Sequence, residues 1–348
     1  MSSNRLSSGF YDGQYDDYEA QFDPMRSDRH ARRKRSPSPN HTPKARRSDI
    51  LSELADEVEW DAEFEPTYRP SKHEAGWLLS SLRGFYQEAL ITDVLTQVKG
   101  GKEASVYCCA ADPTTGVEYL AAKVYRPRKF RALTNDKMYR EGRDILTAEG
   151  HVVHENKDRV MRALGKKSAF GQQVSHTSWL MHEFGALQTL FDAGAAVPKP
   201  YQAGENAILM AFIGIGTLAA PMLNTVTLEN GEAEALFAEV LRNIELMLQH
   251  GMIHGDLSAY NILYLDGTIT VIDLPQVVDA SSNSNAPAIL ARDVQRICDY
   301  FAGQGYPREA EGLYRDLWRR YLDVPERILR ADASRLAQLY PEIFGEMA

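Results

Sequence analysis

The segment HGDLSAYNILYLDGTITVID, from His254 to Asp273, constrains this chain more than any other. Its first acid, Asp256, is followed five residues later by the amide of Asn261, and a second acid, Asp273, closes the segment. Apolar residues on either side of Asp266-Gly267 predict two short strands. Asp-Gly readily adopts the left-handed backbone that a two-residue hairpin loop requires. A hairpin carries the chain back to where it began. Asp273 is therefore expected beside the Asp256–Asn261 loop, with two carboxylates and one amide in a single cleft. Hard oxygen donors of this kind suit Mg2+, and hence phosphate chemistry. On this reading Asp256 accepts or steers the proton of an attacking hydroxyl, while Asn261 and Asp273 hold the metal. His254, next to Ile253 and close to Leu257, is read as a brace for the loop. No other His or Cys lies at metal-ligand spacing from it.

Upstream, EYLAAKVYRP alternates as a strand, ended by Pro127. Ala121, Lys123 and Tyr125 share one side of it. Two readings of Lys123 stand: a fixed ammonium that meets phosphates, or an edge-strand lysine that blocks aggregation. SWLMHEFGALQTLFDAG, from Ser178 to Gly194, has a helical period with Leu180, Phe184, Leu187 and Phe191 on one broad face. Gly194 is its predicted stop. Glu183 lies on or beside that face. A buried carboxylate there needs a cation, for which Lys123 is the candidate; an exposed helical Glu is the other reading. Before the first strand, Gly100 and Gly101 allow close backbone approach to a phosphate. KGGKEAS matches neither the P-loop spacing nor a three-glycine loop.

Together these residues form a kinase-like set. GGKEASVYCCA, LAAKVYRPRKF, SWLMHEFGALQTLFDAGAAVPKPY with ILMAFIG, and HGDLSAYNIL with VIDLPQVVD give the chain a more specific likeness. It resembles the RIO family of atypical serine/threonine kinases and ATPases, closest to the Rio1-like branch and its bacterial relatives, over about residues 80 to 305. ARDVQRICDYF is similar to the helix that follows in that family. The resemblance implies an α+β, protein-kinase-like two-lobed fold in its compact RIO form, with ATP and Mg2+ (or Mn2+) between the lobes. Gly101, Lys102, Glu103, Ala104 and Ser105 would form the phosphate loop. Lys123 would contact phosphate and Glu183 would pair with it. Asp256 would be the catalytic aspartate, and Asn261 and Asp273 the metal ligands. Met210, Phe212 and Ile213 would belong to the hinge that reads adenine. The sequence departs from the family wording at Ala211 in the hinge and at Pro275, which replaces a serine and removes a backbone donor. Residues 281–287 match only loosely.

The remaining sequence frames this set. Residues 1–75 are read as a disordered charged tail, 76–210 as the N-lobe and 211–348 as the helical C-lobe. The overall charge of −9 conceals two opposed blocks. Residues 26–47 hold nine Arg and Lys against one acid, and residues 48–67 hold eight acids and no Arg or Lys. The basic block fits either a solvated tail or contact with RNA or a ribosomal subunit. Ser36 and Ser38, each before a proline, are candidate phosphorylation sites. Trp60, Phe64 and Tyr68 are placed to dock the acidic block onto the fold. Helices are expected from His73, with Trp77, Leu78, Leu82 and Tyr86 on one face, over Glu232–His250, and after Asp293. Residues 128–175 yield no clear pattern. The three cysteines have neither disulfide nor zinc spacing, which fits a reducing, cytoplasmic setting. No run of 18 apolar residues is present, so no membrane span is expected.

Two other functions stay open at this point. One is a small-molecule kinase of the aminoglycoside or choline type, although Leu-Pro-Gln after Asp273 is not the usual continuation there. The other is an ATP-gated module that binds RNA or protein. The acceptor in the main reading is a protein serine or threonine, the chain itself, or water.

Overall fold

Five antiparallel strands form the sheet that carries Lys123. They are β1 (Ile91–Gly100), β2 (Ala104–Ala111), β3 (Tyr119–Tyr125), β4 (Pro200–Ala203) and β5 (Ala207–Ala211). Their order is β1-β2-β3-β5-β4. This architecture is seen in a computed structural model that describes residues 64–101, 103–126, 139, 141–153, 162, 164, 166, 169–229 and 231–323. The basic block, Ser36, Ser38, Trp60 and Lys102 lie outside the described residues.

Helix α1 (Lys72–Gln87) packs on one face of the sheet. Its Leu78, Leu82 and Phe85 are buried with Val94, Tyr107, Leu120, Ala122 and Leu209. Burying each such side chain contributes about 1.5–3 kcal/mol, before the entropy of ordering it is subtracted. Packing begins earlier than α1, within the block read as tail. Phe64 is buried, with its ring centroid 4.5 Å from that of Tyr86. The Tyr68 amide donates to the Val94 carbonyl at 2.8 Å. The Thr67 hydroxyl donates to Asp93 at 2.6 Å.

On the other face lies α2 (Ala169–Asp192), which starts nine residues before the periodicity read from Ser178. Gly194, with φ 77°, ends it as expected. After β5 the chain makes a small hairpin, β6 (Gly214–Ile215) and β7 (Leu218–Ala219), and then α3 (Glu232–Gln249). Leu236, Val240, Ile244 and Leu248 of α3 all point into the core, as their spacing predicts. Strand β8 (Met252–Ile253) leads into the catalytic-type loop, followed by β9 (Ile262–Leu265) and β10 (Thr268–Val271). β9 and β10 are the predicted hairpin, with Asp266 and Gly267 at φ 47° and 76°. β11 (Val278–Asp279) pairs back to β8. Helices α4 (Ala286–Gly303) and α5 (Ala310–Tyr321) complete the described chain. The result is the expected α+β class, a sheet-based half followed by a helical half.

β1 was not anticipated from sequence. ITDVLTQVKG is largely polar, and its pairing with β2 is interrupted by bulges. The edge-strand reading of Lys123 is also removed, because β3 lies between β2 and β5 at the centre of the sheet.

Candidate active site

Lys123 pairs in register with Val106 of β2 and Ile208 of β5, so its side chain leaves the face opposite α1. There it is 7% exposed, and its Nζ lies 2.5 Å from Oε1 of Glu183, itself 5% exposed. The same ammonium donates to Oδ1 of Asp273. Tyr125, two residues along the strand and on the same side, donates its hydroxyl to Oε2 of Glu183. The exposed-helix reading of Glu183 therefore does not hold. Burial alone would lower the Lys123 pKa, but the two carboxylates outweigh it and hold the ammonium above its ordinary range. Desolvation likewise opposes ionisation of Asp273, yet Lys123 prevails and keeps the carboxyl below its usual range.

Asp273 sits at φ 69°, a left-handed conformation that costs a non-glycine residue of order 1 kcal/mol or more. The chain on its far side is held in place. Arg143 Nη2 donates to the Pro275 carbonyl at 2.9 Å and also to the Val277 carbonyl. Proline at 275 forfeits an amide donor, but its carbonyl is used.

The second cluster is built on the loop between β8 and β9. Asn261 Nδ2 donates to Oδ2 of Asp256 at 3.0 Å and to the Asp256 carbonyl at 2.9 Å. With both amide protons directed at Asp256, Asn261 Oδ1 is turned the other way. His254 accepts from the Asp256 amide through Nδ1 at 3.2 Å and donates from Nε2 to the Ile272 carbonyl at 3.2 Å. The imidazole thus bridges the loop to Ile272, between the end of β10 and Asp273, the bracing role expected of it. The Ile272 amide closes the same link to the Asn261 carbonyl at 2.9 Å. Asp256, Asn261 and Asp273 are in this way carried on one hairpin-linked unit.

Three residues of α4 that sequence reasoning did not single out grip this loop. Asp293 Oδ2 accepts from the Gly255 amide at 2.8 Å, and Arg292 Nη2 donates to the Gly255 carbonyl. Arg296 Nη1 lies 2.6 Å from Oδ1 of Asp256. Burial raises the Asp293 pKa, with Arg292, His254 and Arg296 opposing the rise. Gly255 itself must be glycine. It sits at φ 82°, and an added Cβ would come 2.3 Å from the Gln276 carbonyl oxygen.

The expected phosphate loop is the β1–β2 turn. The Gly101 amide donates to the Ala104 carbonyl at 2.9 Å, and the Arg126 amide donates to the Glu103 carbonyl at 2.8 Å. Ser105 is paired with Val124, so its side chain shares the α1 side of the sheet and not the Lys123 side. Met210, next to last in β5, lies opposite Ala121, and Phe212 packs edge-on to Tyr119 at 6.3 Å. Ile213 follows, its carbonyl accepting from Ala220 at 2.9 Å. Among the described residues, no three His, Cys, Asp or Glu side chains form a metal site. No helix among them is long and apolar enough to cross a membrane. Cys108, Cys109 and Cys298 are buried free thiols.

Comparison with known proteins agrees with this geometry. The family model described as the RIO domain matches residues 106–312, and the chain belongs to that family. It is 32% identical to the "RIO-type serine/threonine-protein kinase Rio1" of Haloferax volcanii, over 62% of this chain and 66% of the relative. It is 30% identical to the "Serine/threonine-protein kinase RIO1" of Chaetomium thermophilum, over 62% of this chain and 40% of the relative. Identity to the human protein of that name is 26%, over 61% and 34%. The chain thus covers less than two thirds of each of these relatives.

Proposed function

We propose that this chain is a RIO-type protein kinase that binds ATP with Mg2+, or Mn2+, between the sheet and the Asp256–Asp273 unit. The observation that carries the reading is the shared position of Lys123, paired to Glu183 on one side and to Asp273 on the other. Glu183 and Tyr125 fix the ammonium where phosphate oxygens would meet it. Gly101, Glu103 and Ala104 of the β1–β2 turn would approach the phosphates by their backbone; Lys102, expected in the same loop, lies outside the described residues. Met210, Phe212 and Ile213 line the adenine end.

The donor chemistry fits a divalent cation. Asn261 Oδ1 is turned away from Asp256, and Asp273 offers hard carboxylate oxygens with its side chain 41% exposed. Protein donors are few, so the nucleotide's phosphates would supply the rest. When bound by Asn261 and Asp273, such a cation would supply positive charge against the developing phosphate charge. Asp256 orients the acceptor hydroxyl, from serine, threonine or water, for in-line attack. Catalysis is then mostly positioning and charge stabilisation. The basic block at 26–47 would add RNA or ribosomal contact.

The test is to follow label from γ-labelled ATP with Mg2+ in the intact protein and in Asp256→Ala. Acid-stable protein label that disappears in the variant identifies serine or threonine transfer. Base-labile label or free phosphate that disappears identifies an aspartyl-phosphate or ATPase switch. Turnover unchanged in Asp256→Ala would refute the assignment.

A further inference from the structure

Arg296 is an unusual investment for a core helix. Its neighbours on the buried side of α4 are Ile289, Leu290, Val294, Ile297, Cys298 and Phe301. A long apolar residue would fill the position and would normally stabilise the fold at least as well as a buried ion pair. Instead the position holds a guanidinium that is 2% exposed, with Nη1 2.6 Å from Oδ1 of an Asp256 that is itself 6% exposed.

Arg296 lies four residues after Arg292 and three after Asp293, so it neighbours both on the surface of α4. Their targets differ. Asp293 and Arg292 hold the amide and the carbonyl of Gly255, which fixes the loop backbone. Arg296 reaches past the backbone to the carboxylate of the next residue. Asn261 takes the other carboxylate oxygen. The Asp256 carboxylate is therefore held at both ends, by helix α4 behind it and by Asn261 within its own loop, and its plane is set by two independent elements.

We infer that Arg296 is a positioning residue for the phosphoryl-transfer reaction, which fixes the rotamer and plane of the Asp256 carboxylate from behind. This inference rests on the function proposed above. Arg296 acts through Asp256 and not on nucleotide: its Nη1 meets the carboxylate oxygen from a side chain buried in the core. Its loss should therefore lower kcat and leave ATP binding in place. A fixed guanidinium and a flexible ammonium are not equivalent in such a pair. Lysine should restore part of the effect by keeping the charge, and methionine should restore none.

The experiment compares wild type, Arg296→Met and Arg296→Lys in the full chain. Turnover, KM for ATP and nucleotide affinity by calorimetry are measured below each variant's melting temperature. A displacement of order 1 Å at a reacting group costs about 100-fold. Arg296→Met is expected to lose about that much kcat with ATP affinity unchanged, and Arg296→Lys to lie between it and wild type. Should Arg296→Met fail to fold, Arg296→Lys decides, through a lowered kcat at unchanged ATP affinity. Equal kcat in wild type and the folded variants would overturn the inference. So would a fall in ATP affinity parallel to the fall in kcat. Absence of ATP binding and turnover in wild type would instead overturn the proposed function.

Discussion

Removing Lys123 should cost more stability than removing the charge of Glu183, and removing both should cost less than removing Lys123 alone. Lys123→Met deletes the cation and leaves Glu183, 5% exposed, with only the Tyr125 hydroxyl as its described side-chain donor. Breaking a buried pair from one side typically costs about 3–5 kcal/mol, because the remaining charge stays desolvated. Asp273 is 41% exposed at its side chain and recovers hydration, and the Tyr125 hydroxyl still solvates Glu183. The lower end, about 3 kcal/mol, is therefore expected. Glu183→Gln leaves Lys123 its partner Asp273 and keeps an acceptor oxygen, so about 1.5 kcal/mol is expected, one charged hydrogen bond. At about 2–4 °C per kcal/mol for a chain of this size, Lys123→Met should melt roughly 6–12 °C below wild type. The Lys123→Met/Glu183→Gln double variant removes both charges of the buried pair and should regain part of that loss. Urea unfolding of the three variants and wild type measures the cycle. Equal losses in the two single variants, or a double variant at the sum of its parents, would refute the account of Lys123 as the counter-charge of Glu183.

His182 should impose an acid limb on stability. Burial, helped by the Arg143 charge, lowers its pKa, while its ring proton goes to the Asp144 carbonyl. The folded state then resists a proton that the unfolded chain accepts near pH 6.5, so stability falls as pH drops below that value. His182→Gln should flatten the difference in urea midpoint between pH 7 and pH 5.5, and an unchanged difference would remove burial as the cause. Gly255→Ala should destabilise by about 2–3 kcal/mol through its left-handed backbone and the clash with Gln276. It should also lower turnover about 100-fold by moving Asp256. A thermal melt together with an ATP turnover assay checks both, and a variant that melts and turns over like wild type would contradict the packing described.

The elements that the sequence disclosed are those whose information is local. Asp266-Gly267 specifies its own turn, the α3 stripe specifies its own inward face, and Asp256 with Asn261 share one loop. The pairing of Lys123 with Glu183 was readable because two apolar settings each held one charge that needed a partner. What escaped depends on residues distant along the chain. Nothing in RDVQR says which of its charges meets Gly255 and which meets Asp256, since that choice arises from how α4 crosses beneath the loop. The side of the sheet to which Ser105 turns follows from strand register, which a glycine turn of uncertain length does not reveal. β1 was hidden because its half-buried, bulged strand lacks clean alternation. The start of α2 was hidden because Gly171, Gln173 and His176 dilute the apolar period before Ser178.

The Lys123 cluster also carries a charge balance of its own. One ammonium is shared by two carboxylates, so Lys123, Glu183 and Asp273 together carry one surplus negative charge. Asp256 and Arg296 cancel one another nearby. Taken by itself, the Lys123 trio would repel a bare polyphosphate, despite the lysine at its centre. A divalent cation arriving with a nucleotide would instead be attracted by the same carboxylates. Under the proposed function, an excess of one carboxylate over ammonium would favour the metal complex of a nucleotide over the free nucleotide.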